Sequence, residues 1–185
     1  MRRLLIDPRR LMDSKIFNGE VILTPSESHY LSRVMRMKPE DSLDVVDGEG
    51  HLWNAKLFGD KSIKILNDFD HPIKAVFREK PLICIAVSIP KKGFDTFLQM
   101  SCEIGVDIIQ PIISKRSVVK EFNNEKMIRY QKIIVEAVEQ SERLWSPEVR
   151  QPLEFHDWVN DLPSDPQIGF ATTRIQDLEN CEDWL

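Results

Sequence analysis

The stretch that decides the fold is LICIAVSIPKKGFDTFLQMSCEIGVDIIQPIIS, from Leu82 to Ser114. It opens on a near-continuous apolar run, Leu82–Pro90, the pattern of a strand buried on both faces. Phe94, Phe97, Leu98 and Cys102 then recur at helical spacing, and Gly105 stands where a helix ends on a left-handed residue. DIIQPIIS is a second buried strand. A longer helix is expected from Asn123 or Asn124 to about Leu144, burying Ile133, Ile134, Ala137 and Val138. VRQPLEF and PQIGFATT read as later strands, with a weak helix around Asp157–Leu162 between them. Strand, helix, strand, helix at this spacing is a parallel sheet with right-handed crossovers.

Upstream the rhythm differs. TPSE, Thr24–Glu27, is a capping box: Thr as N-cap, Pro at N1, and Glu at N3 able to reach back to the cap N–H. The helix it starts puts Leu31, Val34 and Met35 on one side and His29, Arg33 and Arg36 on another, a basic stripe at i, i+4 and i+7. SLDVVD, a DGEG turn, HLWNAKLF, a turn at Gly59–Asp60 and SIKIL then alternate as a small antiparallel barrel does. The boundary between the two parts falls inside residues 70–81, which gives an N-terminal unit 1–72 and a second unit 73–185.

At 185 residues, 42% hydrophobic and 30% charged, the chain has the composition of a soluble globular protein. No apolar run approaches the roughly 20 residues of a membrane span, and MRRLLIDPRRL lacks the apolar core of a signal peptide. Cys84, Cys102 and Cys181 are widely spaced, which points to a reducing cytoplasm and away from a disulfide framework or zinc site. The histidines are scattered too, so no metal is expected. The net charge of −5 hides a gradient: residues 1–38 carry eight Lys/Arg against four Asp/Glu, residues 154–185 one against eight. A basic front on an acidic protein is either undirected surface charge or a local contact for phosphate.

GxGxxG, GxxxxGK[ST] and GxSxG are all missing, which removes the usual phosphate cradles and the serine-hydrolase elbow. Three clusters remain. Lys91–Gly93 follows the first buried strand, at the sheet edge where α/β proteins bind ligands. SKRSVVK, Ser114–Lys120, opens at the same edge. AVEQSERLWSPEV, Ala137–Val149, puts Glu139, Gln140 and Arg143 on the solvent side of a helix end, either as an i,i+4 surface ion pair or as the working edge of a site. Trp145 beside them is a stacking platform or a core residue.

Assembled in order, these pieces resemble the RsmE-type 16S rRNA uridine-N3 methyltransferases of the SPOUT (trefoil-knot) superfamily. RRLLIDPRRL, HYLSRVMRMKPED and DGEGHLWNAKL are similar to that family's first domain. KKGFDTFLQMSCEIGVDIIQPIISKRSVVK and AVEQSERLWSPEVRQP are similar to its second. The resemblance implies an α+β N-terminal PUA-like β-barrel that helps hold ribosomal RNA. An α/β parallel-sheet SPOUT methyltransferase domain, incomplete at its C-terminus, would follow it. The protein would use S-adenosylmethionine, act as a homodimer in the cytoplasm, and have 16S rRNA or the small ribosomal subunit as partner. It places Arg9, His29, Arg33 and Arg36 on the RNA-facing surface, with Lys91 beside them. Arg116, Glu139, Gln140 and Arg143 would be catalytic, Glu103 would line the cleft, and Thr172 and Thr173 would begin the cofactor loops. The family's "G-P-E-G-G" and "L-G-x-R-I-L-R-x-E-T-A" segments do not occur in IGFATTRIQDLENCEDWL. The expectation is therefore either a shortened chain or a relative that binds RNA without methylating it.

Overall fold

The structure is a computed structural model that describes residues 2–16, 18–115, 117, 123–163 and 167–169, with only the backbone at 14–16. The first unit is a six-stranded sheet in the order β1-β3-β4-β5-β2, with β6 pairing β4. Its strands are β1 (Arg3–Leu5), β2 (Glu20–Ile22), β3 (Ser42–Val46), β4 (His51–Phe58), β5 (Ser62–Ile65) and β6 (Lys74–Ala75). Both hairpins stand where the glycine turns put them, joining β3 to β4 and β4 to β5. The sheet is mixed rather than antiparallel throughout, because β1 runs parallel to β3.

Alternation decides which side chains enter the barrel core. Leu43 and Val45 of β3 and Trp53, Ala55 and Leu57 of β4 point into it. Val46 and Leu52, which pair across the hairpin, point the other way and join the buried cluster of the second unit. The two units therefore share apolar packing across the outer face of the barrel sheet.

The helix α1 (Pro8–Ile16) is tied to α2 (Pro25–His29) by Arg10, whose guanidinium grips both oxygens of Glu27 at 2.6 and 3.0 Å and donates to the Ile22 carbonyl. Glu27 also closes the capping box, accepting from the Thr24 N–H at 2.8 Å. Burial alone would push the Glu27 carboxyl up, but the hydrogen bonds from Arg10 and the Thr24 backbone hold it below its ordinary value. Thr24→Ala is expected to lower stability by about 1 kcal/mol in a urea titration. An unchanged midpoint would show that the Arg10–Glu27 pair holds this helix end without the cap.

The second helix does not continue as expected. Residues Tyr30–Val34 wind as a π-turn, and Arg36 follows with a left-handed φ of 52°. The wider turn breaks the i, i+4, i+7 register, so Arg36 leaves the helix face on which His29 and Arg33 sit. Val34, read on the same side as the buried Leu31, is exposed.

The second unit has β7 (Cys84–Ser88), β8 (Ile108–Ile113), β9 (Glu148–Val149) and β10 (Leu153–Glu154), all parallel, with β8 in the centre. Pro111 gives the central strand no N–H. Beside it the Gln110 side-chain amide donates to the Gln151 carbonyl at 2.9 Å, in the gap that separates β9 from β10. The helices α3 (Phe94–Ile104) and α4 (Asn124–Ser141) pack through Phe94, Leu98 and Cys102 against Tyr130, Ile134 and Val138. A short α5 (Phe155–Asn160) follows β10. β7 is not buried on both faces: Ile85 and Val87 pack inward, whereas Cys84, Ala86 and Ser88 are exposed among the described residues. The strand expected at PQIGFATT lies mostly outside those residues.

Candidate nucleic-acid interface

The carboxyl ends of β7 and β8 define one edge of the parallel sheet. Lys91 and Lys92 leave β7 there, exposed, and Gly93 turns the chain into α3 with φ 86°. Lys115 is exposed just after β8, where the Ser117 hydroxyl accepts from the Ser114 N–H at 2.8 Å. Asp95 and Arg129 pair across the starts of α3 and α4 at this same edge. Exposed ammonium groups beside hydroxyls suit phosphate oxygens. The described residues of this edge thus suit a phosphate-bearing ligand. Arg116, Thr172 and Thr173 lie outside the described residues.

On the barrel, Arg9, His29, Arg33 and Arg36 are all exposed. Glu103 is exposed on α3. Among the described residues no group of three His, Cys, Asp or Glu is placed to hold a metal ion, and no helix is long and apolar enough to cross a membrane.

At the C-terminal turn of α4 the solvent-side placement fails for Glu139. Glu139 is not on a wet face: it is 8% exposed, and its carboxylate accepts from the Leu5 N–H at 3.0 Å. No ion pair joins it to Arg143. Burial pushes its carboxyl up to about 7, with Glu136 and Glu27 adding repulsion and the Leu5 N–H only partly offsetting them. Arg143 instead lays its guanidinium over Gly105, the left-handed residue that ends α3, where the helix carbonyls attract a cation. Gln140 is exposed.

Topology also separates this cluster from the lysines. α4 begins at the carboxyl edge of the sheet and returns to β9, which pairs with Ile108 at the opposite edge. The sixteen residues of helix from Asn124 to Glu139 span about 22 Å. Glu139, Gln140 and Arg143 are therefore not a lip beside Lys91 and Lys115 within one chain.

Beyond α4 the chain is sewn to the barrel. The Gly50 N–H donates to the Leu144 carbonyl at 3.0 Å and the Ser146 N–H to the Gly48 carbonyl at 2.9 Å. Trp145 donates its indole N–H to the Val76 carbonyl and carries the Arg78 guanidinium over its ring. That occupies it as a structural residue rather than a free stacking platform. Leu5 was not legible as the partner of Glu139, nor Gly50 as that of Leu144; the local signal was the pair of glycines in DGEG.

Comparison with known proteins bears on this arrangement. Residues 78–182 match the RNA methyltransferase domain family, and residues 23–66 match the RNA methyltransferase PUA domain family. The ribosomal RNA small subunit methyltransferase E of Synechocystis sp. is 34% identical over 182 residues, covering 94% of this chain and 55% of that protein. The protein of the same name from Buchnera aphidicola (Acyrthosiphon pisum) is 30% identical, covering 85% and 64%. The crystal structure of the Neisseria gonorrhoeae protein of that name, bound to S-adenosyl methionine, aligns with TM-score 0.70 and 26% identity over 89% of this chain and 66% of that one. The chain spans between about half and two thirds of the length of these relatives. The fold is thus a PUA-like domain joined to a SPOUT-type methyltransferase domain.

Proposed function

The chain belongs to the RNA methyltransferase domain family, and from that premise we propose that the protein methylates 16S ribosomal RNA of the small subunit, at N3 of a uridine, with S-adenosylmethionine as donor. One observation carries this reading: a PUA-like barrel with exposed Arg9, His29, Arg33 and Arg36 is fixed to a parallel sheet whose carboxyl edge presents Lys91, Lys92 and Lys115. The lysines and the barrel arginines take RNA phosphates, which positions the strand without reading its sequence. N3 is an imide nitrogen, so methylation would replace its N–H bond by an N–CH3 bond, with the proton passing to solvent and S-adenosylhomocysteine leaving. The chain's own part would be to hold the base in place, and positioning of this kind supplies much of such a rate. Arg116, which follows the lysine edge in sequence, is our candidate for contact with the reacting nucleotide. Gln140 is exposed and open to substrate, whereas Glu139 and Arg143 are engaged within the protein.

The test is methyl transfer from labelled S-adenosylmethionine to 16S rRNA that lacks the modification, with the whole gene product. Label on a uridine N3 is expected. Donor binding without transfer to 16S rRNA sinks the reading, and RNA capture with no donor affinity makes the protein a non-catalytic ribosome-associated relative. Arg33→Glu with Arg36→Glu should weaken binding to 16S rRNA fragments and flatten its salt dependence by a slope of roughly 2. An unchanged slope would remove these two side chains from the interface.

A further inference from the structure

We propose that the C-terminal turn of α4 is the joint that sets the angle of the barrel on the methyltransferase unit, and that Glu139 is a positioning residue rather than a catalytic one. The inference rests on the RNA-binding reading above, since it concerns how the barrel is presented to RNA.

The edge of β1 explains the need. β1 is the terminal strand of the barrel sheet and pairs with β3 on one side only. Its other side is a row of backbone groups without a strand partner, and an edge N–H buried without an acceptor is destabilising. The Leu5 N–H is met by Glu139, 134 residues away in sequence. Arg3, two residues earlier on the same strand, is 5% exposed and turns its guanidinium toward the Arg143 carbonyl, 3.5 Å away. Glu139 and Arg143 thus address alternate residues of one strand, the first at its backbone N–H and the second at its side chain.

Two further contacts fix the rotation. The segment Leu144–Ser146 exchanges backbone hydrogen bonds with Gly48 and Gly50 of the β3–β4 hairpin. Val46 and Leu52 of the barrel sheet and Val138 and Leu144 of the other unit belong to one buried cluster. A hydrogen bond at β1, a hairpin clamp and an apolar seam are three constraints at separate points, enough to define an angle. Glu139 is a buried carboxylate on the α4 side of this joint. It lies at the opposite sheet edge from Lys91 and Lys115, so within the chain it does not reach what they bind.

The experiment measures geometry and binding separately. Spin labels at Lys61→Cys on the barrel and Lys132→Cys on α4, in a Cys84→Ser, Cys181→Ser background, report the distance between units. Glu139→Gln keeps a carbonyl acceptor for Leu5 and is expected to keep one narrow distance and the parent affinity for a 16S rRNA fragment. Glu139→Leu keeps the volume but not the acceptor; it should broaden the distance distribution and weaken RNA binding roughly tenfold, as a domain loses its fixed presentation. Should Glu139→Leu fail to fold, Glu139→Met takes its place. An unchanged distance in the acceptor-less variant overturns the joint. Methyl transfer lost in Glu139→Gln at an unchanged distance makes Glu139 catalytic and overturns the positional role. If the parent protein binds no RNA, the functional reading fails while the distance measurement still decides the joint.

Discussion

Glu139→Gln is expected to be more stable than the parent protein at pH 8, by about 2–3 kcal/mol, and to lie within about 1 kcal/mol of it at pH 5. A carboxyl that ordinarily titrates at 4.5 is held at about 7 in the fold. The folded protein therefore binds this proton more tightly than the unfolded chain. Its stabilising effect is full below 4.5 and is lost as pH rises through about 7, beyond which no further change comes from this group. The interval is equivalent to about 3 kcal/mol as a ceiling. The cause is burial between α4 and β1, and the single N–H of Leu5 is not enough to stabilise a full charge there. Glutamine presents the same carbonyl oxygen and never ionises, so its profile should be flat across the window in which the parent protein falls. Glu27 shifts in the opposite direction, and its contribution disappears only as pH falls through values below 4.5, outside this window. Urea titrations of both proteins from pH 5 to 8 check the claim: parallel profiles would mean that Glu139 is solvated and that the joint is looser than its geometry.

The same residue shows where sequence stopped being informative. Ala137 and Val138 marked the buried face of α4 correctly, because a 3.6-residue period is local. Glu139 lies at the border of that face, and what covers the border is β1, a strand more than a hundred residues earlier. Read locally, Glu139 and Arg143 satisfy the i,i+4 spacing of an ion pair. In the fold each has a different and distant partner, Leu5 and Gly105. The strand run at Leu82–Pro90 failed for a related reason. Apolar composition says that a strand prefers burial, whereas which of its faces a neighbour covers is a tertiary fact. By contrast, the capping box, both hairpin glycines and the Gly105 helix end were legible, since their causes lie within four residues of sequence. The π-turn at Tyr30–Val34 had no such signal, and with it the basic stripe lost its register. The lysine edge was legible because strands joined by a crossover helix run parallel, so both basic loops had to open on one side.

Gly50→Ala should be the most damaging single change in the barrel, lowering stability by about 3–4 kcal/mol and Tm by about 10 °C. Two independent effects add. Gly50 has φ 99°, a left-handed conformation in which a Cβ is strained by about 1–2 kcal/mol. The added methyl would also run into the Val76 carbonyl oxygen and stand 2.9 Å from the Trp145 ring. The oxygen is backbone, itself accepting from the Trp145 indole, and the Val76 N–H donates back to Gly50. Neither neighbour can swing aside without opening the clamp between hairpin and α4. Two other glycines separate the effects. Gly59, φ 63°, has nothing within 4 Å of the added carbon, so Gly59→Ala should show the conformational strain alone, about 1 kcal/mol. Gly105→Ala meets the guanidinium end of Arg143, a flexible group able to move away, and should fall between the two. The order Gly50, Gly105, Gly59 in thermal melts is what the joint requires. Equal losses at Gly50 and Gly59 would show that only backbone strain matters there, and that the hairpin and the α4 exit are not locked together.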